Sequence, residues 1–303
     1  MRHRELHCKG ILPPLTTPFD VQDRVYFEGL RRNVKRYNEA GLAGYVALGS
    51  NGEAVHLDPE EQQRIISTIR EWALDSHTII AGINEHSTYA AMAATRRAAE
   101  AGADAALVIT PYFYKSRMTQ TALAEHFKTV ADASPIAIFI YNVPQNTGVV
   151  IDPATIISLA EHPNIVGVKD SSGNFGAMAE TIRGVPEGFN VMIGNGGILY
   201  PSLAMGATGA ILAVACAAPH ACVELYDAAS AGDTTAARDL QNKLAPLSQI
   251  VTAGLGVAAL KAAMALNGFV GGQPRAPLAP LSEAERERVR AVMRDTGLFP
   301  EME

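Results

Sequence analysis

Residues 164–173 read Asn-Ile-Val-Gly-Val-Lys-Asp-Ser-Ser-Gly, an apolar run that ends in a lysine and passes into a polar turn. The run has the length and the β-branched content of a buried strand. The polar residues after it are typical of a turn followed by a helix cap. Lys169 therefore stands at the carboxyl end of a predicted core strand, where a charged side chain is unusual.

Runs of the same kind recur along the chain and alternate with alanine-rich amphipathic segments. Continuous apolar strands are typical of a parallel sheet that is covered on both faces. The predicted strands end near Thr17, Gly49, Ile83, Thr110, Tyr141, Lys169, Gly194 and Ala213. Eight strands that alternate with helices predict an α/β fold, a (β/α)8 TIM barrel. A doubly wound sheet is the competing architecture, but it usually carries a glycine-rich phosphate loop after its first strand, and this chain has none there.

A long helical stretch follows the eighth predicted strand. Amphipathic patterns predict helices near 218–231, 234–252, 254–267 and 282–296. We predict that residues 1–215 hold the barrel strands and the first seven helices, and that residues 216–303 hold the eighth helix and a C-terminal helical extension. No linker rich in Ser, Gly or Pro separates the two sections, so they are predicted to form one compact unit.

The composition argues against several classes of protein. The chain has 303 residues, of which 48% are hydrophobic and 18% charged, and its formal net charge of −6 argues against a nucleic-acid partner. The longest apolar stretch, residues 209–219, is too short to span a bilayer, so no membrane partner is expected. Three scattered cysteines and an N-terminal stretch without an apolar core predict a reducing, cytoplasmic location.

The carboxyl ends of the strands are where a barrel of this kind carries its active site. Burial disfavours the charged form of a lysine, so the amine of Lys169 is expected to be neutral and able to attack a ketone. Such an attack forms a Schiff base. The alternative is a lysine that carries its charged head to the surface.

Three other strand ends carry candidate residues. The turn Gly49–Gly52 (Gly-Ser-Asn-Gly) allows backbone N–H groups to converge on a carboxylate, although an ordinary turn has the same composition. Tyr141 can move a proton if hydroxyl groups surround it, or it can simply pack at the rim. The aromatic cluster lines the pocket or a subunit contact, or is ordinary packing; its members are Tyr112, Phe113 and Tyr114.

The sequence carries no pattern for metal or cofactor chemistry. Its eight histidines are dispersed, and it has no His-Glu-x-x-His pattern. A serine-hydrolase elbow and a Walker loop are also absent from the sequence. We therefore predict no metal and no organic cofactor.

Taken together, these strand ends resemble those of the dihydrodipicolinate synthase / N-acetylneuraminate lyase superfamily, the class I pyruvate aldolases. The resemblance covers nearly the whole chain and depends on the joint order of Gly49–Glu53, Thr110–Tyr112, Tyr141–Pro144, Gly167–Ser171 and Gly194. It implies a (β/α)8 barrel with C-terminal helices, a homotetramer built as a dimer of dimers, and pyruvate as a reactant.

The resemblance also implies roles for particular residues. Lys169 is similar to the Schiff-base lysine of the superfamily, and Tyr141 to its proton-shuttling tyrosine. Ser50 and Asn51 occupy the positions that bind the carboxylate end of the substrate. The same pocket would be lined by Ser171, Gly194 and Ile211.

The chain departs from the pattern of the dihydrodipicolinate synthases at three places. These synthases usually carry two threonines at the positions of Ser50 and Asn51. They carry a tyrosine, donated to the partner's proton relay, at the position of Phe113, and an arginine that binds a second carboxylate at that of Asn146. A phenylalanine cannot relay a proton, and an asparagine cannot make a charged bidentate contact, so synthase activity is not favoured.

The combined motifs are most similar to those of 4-hydroxy-2-oxoglutarate aldolases. They predict a class I lyase that cleaves a 4-hydroxy-2-oxo acid to pyruvate and an aldehyde, glyoxylate. The stretch Gly49–Asp58 also resembles 2-keto-3-deoxy-hexonate aldolases, and 4-hydroxy-tetrahydrodipicolinate synthase is a further alternative. In a different class, the chain would be a non-catalytic protein that binds keto acids. A second substrate carboxylate would be bound by Arg275, by Arg117 or by a residue of a neighbouring subunit.

Overall fold

The structure is a computed structural model that describes Leu6 and residues 8–299. Residues 1–5, 7 and 300–303 lie outside this part of the chain. The outer ends of the two predicted sections, and most of the N-terminal stretch used for the prediction of location, therefore lie outside the described residues.

Eight parallel strands form the centre of the molecule. They are β1 (Gly10–Leu12), β2 (Gly44–Ala47), β3 (Thr78–Ile83), β4 (Ala105–Ile109), β5 (Ala137–Asn142), β6 (Ile165–Asp170), β7 (Asn190–Ile193) and β8 (Gly209–Ile211). Strands β2 to β8 pair in chain order, and β1 pairs with β8. The seam between β1 and β2 is joined beyond the end of β1, where Leu15 N donates to Val46 O at 2.9 Å and Val46 N donates to Pro13 O at 3.0 Å. The predicted (β/α)8 TIM barrel is confirmed.

Helices and short helical turns separate the strands and continue after the last one. The helices are α1 (Phe27–Tyr37), α2 (Pro59–Trp72), α3 (Thr88–Glu100), α4 (Gln120–Ala133), α5 (Pro144–Thr147), α6 (Pro153–Leu159), α7 (Phe175–Gly184), α8 (Leu199–Ala204), α9 (Val214–Ala217), α10 (Pro219–Ser230), α11 (Thr234–Gln249), α12 (Gly256–Leu266) and α13 (Glu283–Asp295). None of the helices in the described part of the chain is long and apolar enough to cross a membrane.

The predicted end of the first strand is wrong by several residues. Strand β1 ends at Leu12 and not near Thr17, because Pro13 and Pro14 follow and have no N–H group to donate to a neighbouring strand. The backbone still runs alongside β2 through an isolated bridge between Pro14 and Val46. Seven other strand ends fall within two residues of the predicted ones.

The alternation of side chains along the strands divides the apolar core into two layers. On β5, Phe139 and Tyr141 belong to the layer that fills the barrel, whereas Ile138 and Ile140 belong to the layer between the sheet and the helices. On β6, Val168 belongs to the outer layer, so Lys169 points into the barrel. The two candidate catalytic side chains therefore face the same interior.

The C-terminal helices pack on the barrel through specific polar contacts. Asn33 of α1 exchanges two hydrogen bonds with the backbone of Val270, at 2.8 and 2.7 Å. Asn267 donates to Ala217 O at 2.7 Å, which joins the end of α12 to the segment after β8. The division of the chain at residues 215 and 216 stays a prediction. Helix α11 ends at Gln249, and a π-helical turn, Ile250–Gly254, occupies the rest of the stretch predicted as a single helix.

Candidate active site

Lys169 and Tyr141 lie side by side at the carboxyl ends of β6 and β5. They are direct register partners across the two strands. The Lys169 Nζ atom lies 4.2 Å from the centre of the Tyr141 ring. Only 4% of Lys169 is exposed, so its head does not reach the surface as a snorkelling lysine would. The strand geometry thus brings an amine and a phenol together inside the barrel.

The phenol of Tyr141 lies among polar neighbours. Ser50 Oγ lies 3.4 Å from the Tyr141 hydroxyl, a long contact for two hydroxyl groups. Burial alone raises the pKa of Tyr141, but a positive charge on Lys169 Nζ, such as an ammonium or a cationic imine carries, and hydrogen bonding with Ser50, Lys169 and Ser171 outweigh burial and hold the pKa below its ordinary value. The phenolate, which is the form that accepts a proton, is therefore favoured relative to a free tyrosine.

The turn after β2 presents Ser50 and Asn51 beside this phenol. Residues Ser50–Gly52 form a single 3-10 turn, and Thr17 Oγ1 donates to Gly52 O at 2.7 Å and holds it against the segment after β1. The N–H groups of the first residues in a helical turn have no partner within it. The backbone at Ser50 and Asn51 can therefore donate to a carboxylate.

Gly194 and Ser171 lie against each other at the ends of β7 and β6. Gly194 N donates to Asp170 O at 2.7 Å, and Ser171 N donates to Asn142 O at 2.9 Å. A Cβ atom on residue 194 would lie 1.9 Å from Ser171 Oγ, so only glycine allows this approach. Ile211, on β8, is buried in the inner layer of the barrel.

The carboxylate of Asp170 was not among the predicted site residues. It accepts from Asn142 Nδ2 at 2.8 Å, and from the backbone N and the hydroxyl of Ser172 at 2.8 and 2.6 Å. These bonds tie the end of β6 to the end of β5. Asp170 thus stabilises the strand ends that carry Lys169 and Tyr141.

A cavity of about 230 Å³ lies beside Ser50. It is lined by Ser50, Ala54, Val55, Asn84, Ile109, Tyr112 and Asn146. Of the predicted aromatic cluster, only Tyr112 lines this cavity, while Phe113 and Tyr114 are 71% and 70% exposed. Tyr112 and Asn146 are therefore brought to the candidate site, whereas Phe113 and Tyr114 lie on the surface, where a subunit contact stays a prediction.

Arg275 is not available for a second substrate carboxylate. Its guanidinium makes two hydrogen bonds of 2.7 Å to the carboxylate of Glu61, and its side chain is only 14% exposed. These contacts hold the pKa of Arg275 above, and that of Glu61 below, their ordinary values. The prediction of Arg275 as a ligand is therefore wrong for this conformation. Arg117 lies in an exposed turn beyond the aromatic cluster.

The polar groups of the described chain do not form a cluster that fits a metal ion. No group of three or more His, Cys, Asp or Glu side chains with that arrangement occurs among residues 6 and 8–299. The cysteines Cys8, Cys216 and Cys222 are buried, and none forms a disulfide.

A TIM barrel with a buried lysine beside a tyrosine at its strand ends can form a Schiff base with a ketone inside the barrel. The model of the dihydrodipicolinate synthetase family matches residues 7–296. The chain belongs to this family, and it is therefore a pyruvate-dependent carbon–carbon lyase, a class I aldolase. The predicted superfamily is thus confirmed, while the narrower prediction of a 4-hydroxy-2-oxoglutarate aldolase stays a prediction.

Several enzymes and solved structures of this family are similar to the chain over nearly its whole length. The 4-hydroxy-tetrahydrodipicolinate synthase of Exiguobacterium sp. is 37% identical over 94% of this chain and 96% of its own length. The enzyme of the same name from Neisseria meningitidis serogroup B is 37% identical over 95% and 99% of the two chains. The dihydrodipicolinate synthase of Acinetobacter baumannii, solved with pyruvate, is 34% identical, with a TM-score of 0.88 over 96% and 99%. YagE of Escherichia coli K12, also solved with pyruvate, is 28% identical, with a TM-score of 0.90 over 96% and 99%.

Proposed function

We propose that the protein cleaves 4-hydroxy-2-oxoglutarate to pyruvate and glyoxylate through an imine on Lys169. The observation that carries this proposal is that Tyr141 lies between Lys169 and Ser50, beside a small cavity. The cavity, of about 230 Å³, lies on the side of Ser50 and offers space for the part of a substrate that extends beyond the reacting carbon.

The reaction begins when the amine of Lys169 adds to the C2 ketone and forms a carbinolamine. A proton from solvent allows the hydroxyl of the carbinolamine to leave as water, and a cationic imine remains. The cation draws in the electron pair of the C3–C4 bond when that bond breaks. Tyr141 accepts the proton of the C4 hydroxyl, so glyoxylate leaves as an aldehyde and an enamine remains. Tyr141 returns the proton to C3, and water then releases pyruvate from Lys169.

The carboxylate of the pyruvoyl half would bind at the turn of Ser50 and Asn51, with Ser171, Gly194 and Ile211 around the reacting carbon. The aldehyde half would extend into the cavity toward Tyr112 and Asn146. An amide at residue 146 can donate to a hydroxyl or a carboxylate, but without the charge that a synthase arginine supplies. No metal or organic cofactor is needed for these steps.

The assembly and location belong to the same proposal. Phe113 and Tyr114 place two exposed aromatic rings 5.1 Å apart on one surface, which supports a subunit contact within a homotetramer. The free, buried cysteines support a cytoplasmic location. Sedimentation of the purified protein measures the assembly, and a monomeric mass at working concentration would contradict it.

The substrate is tested by comparing kcat/KM for three reactions. We expect cleavage of 4-hydroxy-2-oxoglutarate to be the fastest, ahead of cleavage of a 2-keto-3-deoxy sugar acid and of condensation in the synthase direction. A higher kcat/KM for condensation in the synthase direction would contradict the proposed substrate but not the proposed imine chemistry. Synthase activity is the second candidate because relatives at 36–37% identity carry that name, and Phe113 and Asn146 are the residues against it.

The pH dependence of cleavage is expected to follow the deprotonation of Tyr141. Its pKa is held below its ordinary value, so kcat should rise with pH through a limb that lies below the value of about 10 for a free tyrosine. Ser50→Ala removes one hydroxyl that favours the phenolate and should move the limb upward by about half to one pH unit, since the 3.4 Å contact is long.

Ser67→Ala is the matched control, because Ser67 is exposed on α2 and donates only to Gln63 O. It should leave the pH profile unchanged. A Ser50→Ala limb that stays in place or moves downward would contradict the role of Ser50.

A further inference from the structure

The chain buries an ion pair directly behind the turn of Ser50 and Asn51. Glu53 is the residue that ends this turn, and its carboxylate lies 2.5 Å from Lys261 Nζ of α12. Both side chains are only 1% exposed. The turn is thereby connected to the C-terminal extension, across more than two hundred residues of sequence.

The remaining polar atoms of the pair are bound by the segment that follows α12. Glu53 Oε2 accepts from Arg275 N at 2.8 Å, and Lys261 Nζ donates to Gln273 O at 2.9 Å. The ammonium also lies 4.5 Å from the centre of the Phe19 ring. Glu53 is therefore held from two parts of the extension at once.

The backbone of Glu53 is in a conformation that a non-glycine residue rarely adopts. Its φ is 54°, in the left-handed region, and Leu48 on the other side of the turn has a φ of 57°. Such conformations persist only where surrounding contacts enforce them. At Glu53, the contacts of its buried carboxylate act together with two backbone hydrogen bonds, from Glu53 N to Ser50 O at 3.1 Å and from His56 N to Glu53 O at 2.8 Å.

Burial of two charges is not in itself a gain in stability. Removing both ions from water is costly, and a well-packed apolar pair of similar volume is often equally stable. Burial lowers the pKa of Lys261, and the Glu53 carboxylate works against that shift. An apolar pair makes no directional contacts, so it would not hold the backbone of the residue after the turn in one conformation.

We propose that the Glu53–Lys261 ion pair sets the conformation of the Ser50–Gly52 turn and so determines how tightly the turn binds the carboxylate of a 2-oxo acid. Glu53 and Lys261 are positioning residues, which act through the backbone N–H groups of the turn and do not touch the substrate. The inference rests on the proposed function, because carboxylate binding at this turn is part of it.

The test uses the full-length protein and the double variant Glu53→Gln with Lys261→Met. This variant removes both buried charges, so neither is left without a partner, and it keeps nearly the same side-chain volume. The readout is the pyruvate concentration that gives half-maximal trapping of the Lys169 imine by borohydride. We expect this concentration to rise roughly 10-fold or more, while the adduct at saturating pyruvate remains on Lys169.

Two further variants separate positioning from general stability. Asp104→Asn weakens an ion pair with Arg70 and a bond to Ile79 N at the opposite, amino-terminal end of the strands. It should lower thermal stability without changing the half-saturating pyruvate concentration. Glu53→Asp leaves no buried charge without a partner but shortens the side chain that holds the turn, so it serves if the double variant does not fold, and it should raise that concentration as well.

The outcomes distinguish the inference from the proposed function. If the unaltered protein gives no adduct on Lys169, the proposed function is wrong, and the inference that rests on it is wrong as well. If the unaltered protein is trapped, and a folded Glu53 variant shows the same half-saturation, the positioning role is wrong while the imine chemistry stands. An equal rise in Asp104→Asn would also overturn it, because any loss of stability would then have the same effect.

Discussion

Replacing Lys169 by alanine is expected to lower kcat/KM for cleavage by roughly 10⁴-fold or more, because the covalent route is lost with the amine. The side chain is buried, and its Nζ atom lies against the ring of Tyr141. Borohydride reduction with pyruvate, followed by peptide mapping by mass spectrometry, should find the adduct on the peptide that contains Lys169. The variant should give no adduct.

Two controls separate the amine from the packing of its stem. Lys169→Met keeps most of the buried volume but has no amine. It should therefore lose as much activity as Lys169→Ala does. Lys128→Ala removes an exposed amine from α4 and should leave turnover unchanged. Substantial turnover by Lys169→Ala, or an adduct on another lysine, would remove the basis of the proposed mechanism.

Tyr141→Phe is expected to lower kcat by roughly 10²–10⁴-fold, the usual contribution of a positioned proton-transfer group. The substitution keeps the ring 4.2 Å from Lys169 Nζ and removes only the hydroxyl. Imine formation with saturating pyruvate should therefore survive, while carbon–carbon cleavage becomes slow. Steady-state kinetics and borohydride trapping on the same preparation measure the two steps separately.

Tyr45→Phe is the matched control for the loss of a buried phenol. Tyr45 lies in the outer layer of the core near the amino end of β2 and donates to Asn38 Oδ1 at 2.7 Å, away from the carboxyl ends of the strands. Its loss should lower stability and leave kcat unchanged. A Tyr141→Phe protein with full kcat would mean that another group accepts the C4 proton.

The fold could be predicted from the sequence because hydrophobic runs and helix patterns are local signals. Parallel strands buried on both faces leave continuous apolar runs, and these located most strand ends closely. The first strand was misjudged because the apolar stretch continues past Leu12, while the pairing depends on N–H groups that Pro13 and Pro14 lack.

The reactive pair could also be predicted, since a barrel carries its active site where its strands end. Tyr141 and Lys169 come from strands that are adjacent in the chain and therefore adjacent in the barrel. Ser50, in the turn after β2, lies 3.4 Å from the hydroxyl of Tyr141, and this contact between two strand ends follows from the same rule.

The support of the Ser50–Gly52 turn could not be predicted. Lys261 occupies a helix-like stretch in which a lysine normally faces solvent. The residues around it in the sequence do not indicate that its ammonium pairs with the carboxylate of Glu53. The bidentate contact of Arg275 with Glu61 could not be predicted for the same reason, because the two residues are far apart in sequence. Without that contact, Arg275 looks free to bind a substrate carboxylate. Long-range ion pairs of this kind depend on the packing of the extension, which the local pattern does not encode.

Most residues that line the cavity lie in the connections after the strands, whereas the reactive amine lies on a strand. Val55, Asn84, Tyr112 and Asn146 lie in four separate connections, which follow β2, β3, β4 and β5, whereas Lys169 and Tyr141 belong to paired strands. Loops accept exchanges that strands inside a barrel do not. New aldehyde preferences can accordingly evolve, or be engineered, by single changes around the rim while the bond-breaking apparatus beneath is inherited intact.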